Sequence, residues 1–117
     1  MFALNFISPH NEKLLNARQK TATIRLGDIR ETYPESSIVL ITFGSKYGPK
    51  KILYEAIVDK VHIKKFTDLT VAELTHQNPK IDTVDKLITL FESIYERKIS
   101  IEDTVTVIHF SELLENV

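Results

Sequence analysis

With 117 residues, 43% of them hydrophobic and 26% charged, the chain suits one domain, 1–117, able to bury a core and unlike a disordered segment. Its formal net charge of −1 argues against general coating of nucleic acid, and the absence of cysteine excludes a disulfide framework or a thiolate zinc site. The charges are uneven, however: residues 1–65 hold 11 of the 15 Lys/Arg and 6 of the 16 Asp/Glu, leaving 4 and 10 for residues 66–117, a split able to create one basic face.

Phe2 to Ile7 alternates large apolar residues and reads as a short strand. Ser8-Pro9-His10-Asn11-Glu12 then has the chemistry of a helix start, with Ser8 as N-cap, proline at the first helical position and an acid in the first turn. That helix is expected to reach about Ala17, followed by a loop and a strand ending at Gly27. Residues 28–37 form a connection. Ile38 to Phe43 is a buried strand by its continuous apolar character, and Gly44 to Pro49 is turn chemistry. The run from Ile52 to Phe66 completes a hairpin, with Ile57, Asp59, Val61 and Ile63 on one face and Val58, Lys60 and His62 on the other.

A short helical turn at Val71 to Leu74, capped by Thr70, leads through Asn78-Pro79 to the clearest helix. Asp82 or Thr83 caps it, and Val84, Leu87, Ile88, Phe91 and Tyr95 make one apolar stripe, with Phe91 and Tyr95 in the core. Thr104 to Phe110 is a closing strand, with a polar tail beyond. The pattern β-α-β-β-β-α-α-β describes an α+β domain: a small, mostly antiparallel sheet curled into a barrel, with helices at one side. The longest apolar run is far shorter than the roughly 20 residues of a membrane-spanning helix, and no basic-then-apolar leader opens the chain. The expected location is cytoplasmic, with no membrane partner.

The chemistry concentrates in "ARQKTATIR", residues 17–25. In a regular strand Thr21, Thr23 and Arg25 share one face, while Ala22 and Ile24 pack inward. Arg18, Lys20 and Arg25 suit phosphate or a base edge, arginine as a planar fork and lysine as a point charge. Alternatively Thr23 is a nucleophile and Lys20 its base, which requires a neutral lysine with a pKa far below the ordinary value of about 10.4. A solvated edge strand fits the pattern as well. Lys46, Tyr47 and Lys50 form a basic, aromatic hairpin tip of the kind that stacks a base and holds a phosphate. His10, His62, His76 and His109 are scattered without ligand spacing, so no metal site is expected. His76-Gln77-Asn78 is a polar loop suited to lining a pocket. The three glycines cannot build a P-loop or a dinucleotide fingerprint, and no cofactor is expected.

The run Leu14 to Arg25 resembles the signature of ASCH domains: a helix ending in a G-x-K-like turn, then T-x-T-x-R on a strand. Asp68-Leu69-Thr70 before a short helix, Asp85 to Tyr95, and Val105 to Phe110 resemble the later parts of such domains, so the likeness covers nearly the whole chain. The resemblance implies a small PUA-like β-barrel of a group associated with RNA. It implies binding of RNA or a modified nucleoside through Arg18, Lys20, Thr21, Thr23, Arg25, Lys46, Tyr47 and Lys50. One bacterial branch consists of N4-acetylcytidine amidohydrolases, in which a Lys, a Thr three residues on and a downstream Glu carry the chemistry. Lys20 and Thr23 match the first two. Gln77 stands where the glutamate belongs, with Glu73 one helical turn earlier as its substitute, and Ala17 replaces the family's usual glycine.

Overall fold

The computed structural model describes residues 2–114. In chain order they form β1 (Phe2–Phe6), α1 (Pro9–Asn16), β2 (Ala22–Leu26), β3 (Ile38–Gly44), β4 (Lys50–Lys65), α2 (Val71–Gln77), α3 (Val84–Tyr95) and β5 (Thr104–Glu112), with a 3₁₀ turn at Phe66–Asp68. This is the order expected from the sequence. The polar tail is in part replaced by two further residues of β5, and residues 115–117 lie outside the described residues.

The five strands make one sheet in the order β1-β3-β4-β5-β2. Three of its four pairings are antiparallel, and β1 with β3 is parallel. The expected barrel is therefore an open half-barrel, because β1 and β2 are edges that do not pair with each other. Side chains bridge the seam between them: Arg25 Nη2 donates to the Asn5 carbonyl at 2.9 Å.

Two apolar clusters sit on the sheet. Leu4, Phe6, Val39, Ile41, Ile108 and Phe110 belong to one; Ile24, Phe66, Leu74, Leu87, Phe91, Val105 and Val107 belong to the other, under α2 and α3. Strand β5 feeds both, which explains why Val105 to Phe110 is apolar apart from Thr106 and His109. Along β4 the register shifts between Val58 and Lys60, marking a bulge at Asp59. The sequence reading put Ile57, Asp59, Val61 and Ile63 on one face, but one extra residue reverses the alternation. Val58 and Val61 consequently pack against the same cluster.

The helix ends follow local chemistry. Thr70 and Glu73 form a full capping box on α2, and Thr83 caps α3. Ser8 occupies the N-cap position of α1 but makes no side-chain capping bond. Thr70→Ala should cost about 1 kcal/mol, readable as a shift of the urea unfolding midpoint at unchanged slope.

Candidate functional site

The entrance to β2 is built by the end of α1. Arg18 takes a left-handed φ of 58°, its N–H bonds the Leu15 carbonyl at 3.0 Å, and the Gln19 N–H bonds the Leu14 carbonyl at 2.9 Å. This is a Schellman ending with arginine at the position glycine usually takes. The reversal carries Lys20 inward, and the side chain is only 1% exposed. Its Nζ donates to the Gln77 backbone carbonyl at 2.7 Å and to Gln77 Oε1 at 2.8 Å. The carbonyl is one of the orphans at the C-terminus of α2, where a cation is favoured. Gln77 Oε1 also accepts the Ile24 N–H at 3.0 Å, so one amide ties α2 to β2.

Around this lysine opens a cleft of about 620 Å³ at the seam between β1 and β2. Lys20, Thr23, Arg25 and Gln77 line it, with Lys46 and Lys50 from the β3–β4 hairpin and His10 from α1. No aspartate or glutamate is among the lining residues. The lining also includes apolar and aromatic side chains, among them Phe6, Phe91, Ile94 and Tyr95. Thr23 is 4% exposed, and its hydroxyl lies 3.4 Å from Arg25 Nε. The guanidinium carbon of Arg25 and Lys20 Nζ lie 5.1 and 5.3 Å from the centre of the Phe6 ring, within cation–π range. Burial, and secondarily the Arg25 charge, hold the Lys20 ammonium well below the usual lysine range. Burial also lowers the pKa of Arg25, against the opposing effect of Tyr33 and Tyr95, but an arginine keeps its proton.

The remaining sequence candidates fall elsewhere. Arg18 and Thr21 border a separate depression of about 180 Å³, which Lys20 walls from the other side. There Arg18 makes a two-bond pair with Glu112, at 2.9 and 3.0 Å, and stacks 3.9 Å over the Tyr54 ring. Glu73 faces away from the cleft: it accepts from Lys64 at 2.8 Å and closes the capping box. Burial raises its pKa, but the Lys64 and Thr70 bonds outweigh this and leave it lowered. Tyr47 is 91% exposed at the hairpin tip and does not line the cleft, whereas Lys46 and Lys50 do.

Two readings of individual residues need correction. Tyr95 is not core but 43% exposed, because the last turn of α3 overhangs the cleft mouth; it meets the buried Phe91 edge-on at 5.7 Å. The histidines are not all scattered: β4–β5 pairing and α2 bring His62 and His76 to 5.8 and 6.3 Å from His109, ring centre to ring centre. Burial, then His62, lowers the His109 pKa, and no metal-holding group of three or more acidic or histidine side chains occurs among the described residues. Asn5 was missed. It receives the Arg25 bond on its carbonyl and the Thr42 hydroxyl on Oδ1, and its only trace in the sequence is a polar residue within an apolar strand.

No family model matches the sequence, and neither does any curated protein. Solved structures do. Protein EF3133 from Enterococcus faecalis V583, of family DUF984, superposes with a TM-score of 0.67 at 15% identity, over 89% of this chain and 67% of that one. An ASCH domain from Lactobacillus crispatus JV V101 has a TM-score of 0.67 at 9% identity, over 94% and 77%. Hypothetical protein PH0355 has a TM-score of 0.64 at 13% identity, over 94% of this chain and all of that one. Among the described residues no helix is long and apolar enough to cross a membrane. The superposition on the Lactobacillus crispatus domain shows that this chain has an ASCH-type fold.

Proposed function

We propose that the protein binds RNA or a modified nucleoside in the cleft between β1 and β2. The observation that carries this reading is a single cleft lined by basic side chains together with apolar and aromatic ones. Lys20 and Arg25 lie inside, Lys46 and Lys50 at the rim, and the cleft has no lining carboxylate. A base needs a flat apolar face, and its sugar and phosphate need donors and charge; both are within one cavity of ligand size. Titrating short single-stranded RNA and watching fluorescence anisotropy tests it. Binding should weaken linearly in log salt, with a slope near −0.7 per phosphate neutralised. Failure of both RNA and nucleosides to bind at low salt overturns the reading.

A second reading, hydrolysis of N4-acetylcytidine, is favoured by one feature: a lysine held low in pKa beside a buried threonine in the same cleft. Thr23 Oγ would attack the amide carbonyl, Lys20 would take its proton and pass it to the departing cytidine amine, and water would release acetate from the acyl-threonine. Lys20 hydrogen-bonds Gln77 rather than Thr23, and Gln77 supplies no negative charge. Binding therefore stands ahead. Chromatography of N4-acetylcytidine incubated with the wild type and Thr23→Ala decides: cytidine release lost in the variant establishes hydrolysis, and no release removes it.

A further inference from the structure

The cleft's charge is unusual in its imbalance. A buried lysine normally has a carboxylate partner; Lys20 has only two neutral oxygens, both from Gln77. Arg25 makes no ion pair among the described residues. Its Nε and Nη2 bond Thr23 and the Asn5 carbonyl, leaving Nη1 without an acceptor there. The protein thus supplies no negative charge to either cation within the cleft.

We infer that the ligand of this cleft is phosphorylated: a nucleotide held by its phosphate at Arg25, with Lys20 taking up a proton from solvent as the anion arrives. The inference rests on the nucleotide-binding reading and narrows it, excluding a neutral nucleoside as the preferred ligand. The physical reason is reciprocal. An unpaired buried ammonium is costly beside a guanidinium, so burial and the Arg25 charge favour the neutral amine when no anion is bound. A phosphate oxygen nearby supplies the missing opposite charge and makes the ammonium the favoured form. Binding therefore consumes a proton, and affinity falls as pH rises. The other charged or titratable groups facing the cleft are Arg25 on β2, His10 on α1, Lys46 and Lys50 on the hairpin, and Tyr95 on α3. Behind Lys20 lies the Arg18–Glu112 pair. His10 is the one histidine among them and is therefore the control for proton uptake.

The test is titration calorimetry at pH 7.5 in two buffers of different ionisation enthalpy. The probes are cytidine, cytidine monophosphate and the dinucleotide CpC, whose internal phosphodiester does not titrate near neutrality. Both phosphorylated probes should bind at least 10-fold tighter than cytidine. With CpC the buffer dependence should report net proton uptake. Uptake should persist in His10→Gln and vanish in Lys20→Met, whose folding is checked by thermal melting. If the monophosphate binds well and CpC does not, the source is a free mononucleotide; the reverse order points to a strand, and either supports phosphate recognition. Cytidine binding as tightly as the phosphorylated probes overturns the inference and leaves the nucleoside-binding reading standing. Tighter phosphate binding with no buffer dependence, or uptake lost in His10→Gln, overturns the role of Lys20. No binding by any probe overturns the inference, and the titration of short RNA and nucleosides at low salt decides the reading separately.

Discussion

Replacing Gln77 by leucine is expected to lower the unfolding free energy by roughly 2–4 kcal/mol, because it strands two buried donors at once. The Ile24 N–H loses its acceptor outright, and Lys20 Nζ keeps only the Gln77 backbone carbonyl. The leucine has nearly the right volume, so little of the loss comes from a cavity. The melting temperature should fall by on the order of 10 °C. Gln77→Glu is the informative companion. A carboxylate still accepts both bonds, so most of the stability should return. It also gives Lys20 the negative partner it lacks, which favours the charged lysine before any ligand binds. Proton uptake on ligand binding should then disappear, and phosphate should bind more weakly. A leucine variant as stable as the wild type would show that the Lys20–Gln77–Ile24 bonds do not hold α2 to β2.

Arg25→Met should weaken binding of short RNA by about 10- to 100-fold, the expected effect of one or two charge-assisted bonds to a phosphate at 1.4 kcal/mol per decade. The slope of log affinity against log salt should shrink by about 0.7, one phosphate's share on a single strand. Both readouts are needed because Arg25 also holds the seam through the Asn5 carbonyl. A variant that merely loosens the seam loses affinity without changing the salt slope. Melting curves separate the two. An unchanged slope with reduced affinity would make Arg25 a positioning residue and leave Lys46 and Lys50 to neutralise the phosphates.

The elements were legible because each carries a short-range signal. Alternation in Phe2–Phe6, the proline-led start of α1, the Thr70 capping box and the Val84–Phe91 stripe are all properties of a few neighbouring residues. What escaped depends on contacts between distant ones. The parallel β1–β3 pairing leaves no mark in either strand. The Asp59 bulge needs its partner strand to be seen, and without it the faces of β4 come out wrong beyond that point. In the cleft, the run from Lys20 to Arg25 stood out by its composition, but the burial of Lys20 follows from the left-handed turn at Arg18. Nothing in an arginine announces a positive φ. Arg18 itself was grouped with Lys20 by proximity in sequence, while that same turn sends it to the other side, toward Glu112 and Tyr54. Tyr95 obeyed the helical period and still came out exposed, because periodicity says which way a side chain points and not where the neighbouring sheet ends.

The position of β2 in the sheet has a consequence for how the protein comes into being. β2 has one neighbour, β5, and Leu26 is paired with Val105. At a synthesis rate of roughly 5–20 residues per second, the roughly 80 residues between them take on the order of 4–16 s to emerge. Throughout that interval Thr23 and Arg25 sit on a strand with no ladder, and Ile24 waits for Val107, the residue opposite it. Such distant pairing is slow to form, since the loop must close before any contact rewards it. A nascent chain stalled short of residue 104 already contains every side chain of the cleft, from Asn5 to Tyr95, yet lacks the strand that holds two of its central residues in place.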